Sequence, residues 1–120
     1  MARILLVEDH EAVAALRYVL LTRQGHQIVL TGDGQEACRL LDQESFDLVV
    51  TDAELPAGSG REVAMAAKRQ HVPVILSTCW PQHAARLPGV DFVAAKPSSV
   101  AEFLSLVQSA LKKAKSKSPL

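Results

Sequence analysis

The segment ILLVED, from Ile4 to Asp9, places four large apolar residues directly before two acids. Apolar runs without polar alternation are typical of parallel strands that are covered on both faces of their sheet. Similar runs occur four more times along the chain, at Ile28–Leu30, Leu48–Val50, Val74–Leu76 and Phe92–Ala94. The sequence therefore predicts five strands of one parallel sheet.

Stretches with apolar residues at helical spacing separate these runs, which predicts a doubly wound α/β fold with five helices. Pro81 and Pro88 bracket only six residues, so the fourth helix is predicted to be short or distorted. Gly25 is placed to end the first helix. Core positions are predicted for the first, second, third and fifth helices. In that order they are Ala12, Ala15, Leu16, Val19 and Leu20; Ala37, Leu40 and Leu41 within residues 35–43; Val63, Ala66 and Ala67; and Val100, Phe103, Leu104, Val107 and Leu111.

Composition is that of one ordinary globular domain, because 120 residues with 48% apolar content can bury a core. Thirteen acids balance thirteen bases, which gives no general attraction to nucleic acid. No apolar run approaches the roughly 18 residues of a membrane span, so a cytoplasmic location is expected. The two cysteines, Cys38 and Cys79, lack metal-ligand spacing and are predicted to be buried thiols. The lysines near the C-terminus are predicted to lie at the solvated end of a helix; they are Lys112, Lys113, Lys115 and Lys117.

Polar and charged side chains follow four of the predicted strands at the point where each strand ends. Parallel strands of such a sheet carry their sites at the carboxyl edge, so these side chains are expected to converge. They are Glu8 and Asp9 after the first strand, Thr51 and Asp52 after the third, Ser77 and Thr78 after the fourth, and Lys96 and Pro97 after the fifth.

Three carboxylates held together repel one another unless a cation lies among them. Mg²⁺ prefers oxygen ligands and water, which fits Asp9 and Asp52 as ligands with Glu8 behind a water; Mn²⁺ is the alternative ion. Asp52 is then the candidate nucleophile for a phosphoryl donor, with Lys96 and Thr78 binding the transferred oxygens. Each residue alone has an ordinary structural explanation, and only their joint placement favours this chemistry.

These residues resemble the receiver family of response regulators over nearly the whole chain. The resemblance is carried by ILLVED (4–9), TDAELPAGSG (51–60), PVILST (73–78) and the Lys96-Pro97 pair. It implies a flavodoxin-like sheet with strand order 2-1-3-4-5. It also implies a receiver domain over residues 1–114, followed by a basic tail at residues 115–120.

The resemblance implies a role for each site residue. A phosphohistidine on a histidine kinase or phosphotransfer protein would be the donor, and phosphorylation would switch binding of a downstream protein. The domain would catalyse only its own phosphorylation and dephosphorylation, and would be a monomer or weak homodimer, alone or within a longer regulator. The implied roles are phosphorylation for Asp52; metal binding for Glu8, Asp9, Asp52 and the Glu54 carbonyl; phosphoryl contacts for Thr78 and Lys96; and a cis peptide before Pro97.

The sequence departs from the family pattern at several positions. The family often has a switching aromatic three residues before the lysine, where this chain has Val93, and Phe92 should face the opposite side of its strand. The segment 78–89 is about one helical turn shorter than usual. Glu54 and Trp80 flank the site mouth and are either regulators of phosphoryl lifetime or ordinary exposed loop residues.

Three other functions remain open at this point. A magnesium-dependent phosphatase would use Asp52 and Glu54, but its expected second aspartate and its cap domain are missing. A flavin binder shares the fold, yet Glu8, Asp9 and Glu11 would repel the flavin phosphate. A docking-only receiver is disfavoured because every residue needed for the chemistry is present.

Overall fold

The computed structural model describes residues 1–117, and the side chains of residues 1–113. Each predicted strand is present and is one or two residues longer than the apolar run that predicted it. The strands are β1 (Arg3–Val7), β2 (Gln27–Thr31), β3 (Leu48–Asp52), β4 (Val74–Thr78) and β5 (Phe92–Ala95). All pairings are parallel, and the order β2-β1-β3-β4-β5 confirms the predicted doubly wound, flavodoxin-like sheet.

Helices follow the strands in strict alternation, and five are present as predicted. They are α1 (Glu11–Arg23), α2 (Gly34–Gln43), α3 (Gly60–Arg69), α4 (Pro81–Ala84) and α5 (Val100–Lys117). The fourth has only four residues, which confirms the prediction from its two flanking prolines. Helix α5 continues to Lys117, so residues 115–117 of the predicted tail are helical; residues 118–120 lie outside the described part of the chain.

Side-chain caps fix where the helices begin. Ser59 and Ser99 each accept a hydrogen bond from the backbone N–H three residues later, at Glu62 (3.2 Å) and Glu102 (3.1 Å). This Ser-x-x-Glu arrangement satisfies N–H groups that a helix cannot bond internally. At the other end of α1, Gly25 has a φ of +88°, the left-handed conformation that often ends a helix. Local sequence thus sets the limits of the helices that surround the sheet.

The sheet separates two apolar cores because successive strand residues point to opposite faces. In β1, Leu5 and Val7 face α2 and α3, whereas Ile4 and Leu6 face α1 and α5. The positions predicted for α3, Val63, Ala66 and Ala67, are all buried. Three central strands therefore lie between two packed layers, and their polar ends are left free to form a site.

The predicted core stripe of α1 is wrong. Leu16 is 53% exposed and Val19 is 44% exposed, and Ala12 and Ala15 are exposed as well, so of that stripe only Leu20 contacts the core. Apolar residues surround most of this helix, so helical spacing alone admitted more than one stripe. The observed buried face is Ala14, Arg17 and Leu21. In α5, Val100 is likewise exposed, whereas Phe103 and Val107 are buried as predicted.

His26 connects the α1–β2 turn to the start of the chain. Its Nδ1 accepts a hydrogen bond from the backbone N–H of Ala2 at 3.2 Å, which requires that nitrogen to be unprotonated. Burial first, and the N-terminal charge second, lower the pKa of His26 below its ordinary value of 6.5. The folded state therefore binds this proton less readily than the unfolded state does.

Stability should therefore fall as pH falls through about 6.5 toward the lowered pKa of His26 in the folded protein. In His26→Gln, this part of the pH dependence should disappear, because glutamine does not titrate. Urea unfolding between pH 5 and 8 measures the effect, and His83→Gln, which changes an exposed histidine, is the matched control. Parallel curves for the wild type and His26→Gln would contradict the assignment.

Within the described residues, no helix combines the length and the apolar content needed to cross a bilayer.

Candidate functional site

The carboxyl edge of the sheet opens into a cleft of about 760 Å³. The loops after β1, β3, β4 and β5 form its walls, so the predicted convergence of the strand ends is present. The residues that line it are Asp9, His10, Glu11, Val13, Asp52, Ala53, Glu54, Leu55, Pro56, Thr78, Cys79 and Lys96.

Asp52, the last residue of β3, lies at the floor of the cleft and is 7% exposed. Its Oδ2 accepts a hydrogen bond from Nζ of Lys96 at 2.8 Å, and the two groups form an ion pair. Its Oδ1 accepts a longer bond, 3.4 Å, from the backbone N–H of Glu54. The carboxylate is thus held at both oxygens by groups from two different loops.

Lys96 reaches Asp52 from the end of β5. Its backbone N–H donates to the carbonyl of Thr78 at 2.9 Å, which continues the β4–β5 ladder one residue beyond the strand. The Lys96-Pro97 peptide is cis, as the family resemblance implied. The backbone of β4 therefore fixes the point from which the lysine side chain extends toward the aspartate.

Thr78 ends β4 with its side chain 5% exposed and at the cleft wall. Its Oγ1 accepts a hydrogen bond from the backbone N–H of Trp80 at 3.0 Å. Within the described residues the hydroxyl proton has no acceptor, so the Thr78 O–H can donate to a group in the cleft. The bond to Trp80 fixes the hydroxyl oxygen before any such group binds.

Two further carboxylates lie beside that of Asp52. One oxygen each from Glu8, Asp9 and Asp52 lie within 4.8 Å of one another. Glu8 is 3% exposed, and its Oε2 accepts a hydrogen bond from the His10 backbone N–H at 3.2 Å. Its Oε1 is buried and has no hydrogen-bond partner among the residues that the structure describes. Burial, and then the charge of Asp52, raise the pKa of Glu8 above 4.5. An unpartnered buried carboxylate oxygen in an acidic cluster fits a hard divalent cation with its waters.

Arg17 is a member of this cluster that the sequence analysis did not identify. Although charged, it is only 7% exposed, and it extends from α1 toward the site. Its Nη2 donates to Oγ of Ser77 at 3.0 Å, and its Nη1 lies 3.9 Å from Oε1 of Glu8. Burial lowers the pKa of the Arg17 guanidinium. The spacing of Arg17 from Leu21, one turn further on the buried face, is the signal that could have located it.

Other predicted residues lie at the edge of the cleft or away from it. Glu54 is exposed at the cleft wall, and Trp80 is 63% exposed. Cys79 is exposed and lines the cleft, so its prediction as a buried thiol is wrong; it follows the end of β4, outside the core layers. Val93 is half-buried on β5, while Phe92 packs against the core shared with α5.

A family model agrees with this geometry. Residues 4–108 match the response regulator receiver domain. The chain belongs to that family. The match extends from the first strand to α5 and includes every residue of the candidate site.

Curated regulators resemble this receiver domain over part of their length. Transcriptional regulatory protein AfsQ1 of Streptomyces coelicolor is 32% identical over 105 residues, which cover 87% of this chain and 44% of AfsQ1. Transcriptional regulatory protein TcrA of Mycobacterium tuberculosis is 37% identical over 91 residues, 74% of this chain and 36% of TcrA. The chain thus spans less than half the length of these two relatives.

Solved receiver structures share the fold and include metal-bound examples. The receiver domain of the sensor histidine kinase PA1611 from Pseudomonas aeruginosa is 25% identical, with a TM-score of 0.83 over 92% of this chain and 98% of that one. That structure has a magnesium ion coordinated in its active site cleft. Response regulator TrrA from Thermotoga maritima, in complex with Mg²⁺-BeF, is 29% identical, with a TM-score of 0.82 over 92% and 99% of the two chains.

Proposed function

We propose that this receiver domain accepts a phosphoryl group on Asp52 in a magnesium-dependent reaction. The observation that carries the proposal is the arrangement around Asp52. Its carboxylate lies at the floor of an open cleft, with the Lys96 ammonium at 2.8 Å and two further carboxylates within 4.8 Å. The proposed nucleophile, the Lys96 ammonium and the proposed metal ligands thus lie close together.

The metal would be held by side chains of Asp9 and Asp52, by the backbone carbonyl of Glu54, and by Glu8 through a water. Oε1 of Glu8 is buried and accepts no hydrogen bond within the described residues, which supports this assignment, since buried polar atoms normally have a hydrogen-bond partner. Mg²⁺, or Mn²⁺ in its place, would neutralise the carboxylates and attract an oxygen of the transferred group.

The phosphoryl group would come from a phosphohistidine of a histidine kinase or a phosphotransfer protein. One carboxylate oxygen of Asp52 forms the new O–P bond while the N–P bond of the donor breaks and its electron pair returns to the imidazole nitrogen. The Lys96 ammonium and the Thr78 hydroxyl would bind two phosphoryl oxygens, where negative charge accumulates in the transition state. Both groups are held in place before the donor arrives.

The biological role that follows is a signalling switch. The domain would catalyse only its own phosphorylation and dephosphorylation, in the cytoplasm, and its phosphorylated form would bind a downstream protein differently. We assign the receiver domain to residues 1–114 and the basic tail to residues 115–120, with no nucleic acid or membrane binding by the domain and a monomeric or weakly dimeric state. Because Val93 replaces the family aromatic, the signal should leave the site without the usual inward rotation at that position.

Incubation with acetyl phosphate and Mg²⁺ should add one phosphoryl group to the wild-type protein. Asp52→Asn should add none, because an amide is not a nucleophile for this transfer. Intact-protein mass spectrometry measures both, and omission of Mg²⁺ should suppress the increment. Asp42→Asn, which changes an exposed acid of α2, is the matched control and should be phosphorylated like the wild type. An increment that persists in Asp52→Asn would contradict the proposal.

Glu54 and Trp80 would set how long the acyl phosphate lasts. Glu54 contributes an exposed carboxylate at the cleft wall, and Trp80, which is 63% exposed, lies two residues beyond Thr78, where its indole could shield the acyl phosphate from water. Glu54→Ala and Trp80→Ala should each change the half-life of the phosphorylated protein by about threefold or more, a shift of about 0.7 kcal/mol in the hydrolysis barrier. Loss of the phosphoryl mass increment with time measures it. Wild-type half-lives in both variants would leave the two residues as ordinary loop side chains.

A further inference from the structure

Arg17 is a charged residue in a position where charge is costly, and the proposed phosphotransfer does not use it. Its guanidinium is bonded to Ser77 at 3.0 Å, lies 4.5 Å from the centre of the Phe103 ring and is 3.9 Å from Oε1 of Glu8. Isolated buried charges are strongly unfavourable, so such a group needs a compensating anion. The nearest carboxylate is the one that has no hydrogen-bond partner at its Oε1.

We infer that Arg17 is a built-in counter-ion of the acidic cluster, which stabilises the metal-free receiver and lowers its affinity for Mg²⁺. The inference rests on the proposed metal site. Arg17, a residue of α1, would thus supply part of the positive charge that neutralises the carboxylates, beside Lys96 and the divalent ion.

The distribution of charge supports this role. Each of the two buried acids has its own cation, since Lys96 pairs with Asp52 at 2.8 Å and Arg17 lies 3.9 Å from Glu8. Three carboxylates with two cations leave one net negative charge at the site, where Lys96 alone would leave two. A divalent ion is attracted less strongly to the smaller negative charge.

The position of Arg17 is fixed on three sides, so its charge cannot simply move away when a metal binds. Ser77 is completely buried on β4, Phe103 is 3% exposed on α5, and Arg17 itself belongs to the buried face of α1. Planar stacking on an aromatic ring and a directed hydrogen bond are the contacts that favour arginine over lysine. Metal binding must therefore occur against a cation that stays in the cluster.

Arg17→Met should bind Mg²⁺ about fivefold or more tightly than the wild type, because the opposing charge is gone while the aliphatic volume is kept. Metal-free Arg17→Met should unfold at a lower temperature than the wild type, and added Mg²⁺ should recover most of that loss. Arg17→Lys keeps the charge and should retain an affinity near that of the wild type. Leu21→Ala, on the same helix face, should lose stability equally with and without Mg²⁺ and keep the wild-type affinity.

Calorimetric titration of Mg²⁺ into the full chain, with thermal unfolding at zero and saturating Mg²⁺, measures both quantities. Unchanged affinity in Arg17→Met, with equal loss of stability in the two conditions, would overturn the inference while leaving the metal site intact. Weaker binding in Arg17→Met would also overturn it. If metal-free Arg17→Met does not fold, the double variant Glu8→Gln/Arg17→Met is compared with Glu8→Gln. The Glu8→Gln substitution removes the acid that Arg17 compensates, and the double variant is expected to bind Mg²⁺ more tightly than Glu8→Gln. Absence of Mg²⁺ binding by the wild type would overturn the metal site itself.

Discussion

Lys96→Met is expected to slow phosphorylation of Asp52 by about 100-fold or more. Loss of one preorganised charged donor to a transition-state oxygen typically costs this much in rate. The Lys96 ammonium lies 2.8 Å from Oδ2 of Asp52, so it is close enough to contact an oxygen of a phosphoryl group on that carboxylate. The rate is measured as the growth of the phosphorylated mass at a fixed acetyl phosphate concentration.

Lys113→Met is the matched control for Lys96→Met. Lys113 also forms an ion pair at 2.7 Å, with Asp91, but it lies on α5 and does not line the cleft. Its substitution should leave the phosphorylation rate within about twofold of the wild type, since Lys113 does not line the cleft. A rate for Lys96→Met that equals the rate of this control would show that the lysine is not part of the reaction.

Gly60→Ala is expected to destabilise the protein by about 3 kcal/mol, a large effect for one methyl group. A Cβ at this position would lie 2.4 Å from the carbonyl oxygen of Asp52 and 2.7 Å from Cα of Ala53. Both contacts are with backbone, so neither can be relieved by rotation of a side chain. Helix α3 would have to move away from β3, the strand that ends at Asp52, and urea unfolding measures the cost.

Gly25→Ala separates this clash from the general effect of losing a glycine. Gly25 has a φ of +88°, but a Cβ there would meet no atom within 4 Å. Only backbone strain is added, so a loss of about 1 kcal/mol is expected. Equal losses in Gly60→Ala and Gly25→Ala would contradict the close approach of α3 to Asp52.

Strands and site residues were predictable from the sequence because one local pattern determined both. An apolar run ending in a polar residue identifies a buried strand, and the parallel order brings those ends to one edge. Glu8, Asp52, Thr78 and Lys96 accordingly lie around one cleft or its acidic cluster, as expected from their positions at strand ends. Pro81 and Pro88, which bracket the fourth helix, were enough to predict that it is short.

The buried face of α1 was not predictable in the same way. Alanine and leucine occur on several sides of this helix, so the spacing rule selected Leu16 and Val19, which are exposed. Tertiary contacts orient the helix: Leu21 packs in the core, and Arg17 donates a hydrogen bond to Ser77 near the end of β4. A rule that assigns charged residues to the surface excludes a buried arginine, so the one-turn spacing between Arg17 and Leu21 was not used as a signal.

Borohydride trapping tests most directly whether Asp52 is the residue that carries the phosphoryl group. Borohydride adds hydride to the acyl carbon of an aspartyl phosphate, and the acyl C–O bond breaks to release phosphate. A second hydride reduces the resulting aldehyde to the alcohol of homoserine, which peptide mass spectrometry locates in the chain. We predict homoserine at position 52 after treatment with acetyl phosphate and Mg²⁺, and at no other acid of the cluster. An unmodified Asp52 would contradict the assignment, whether homoserine is found at Asp9 or at no position.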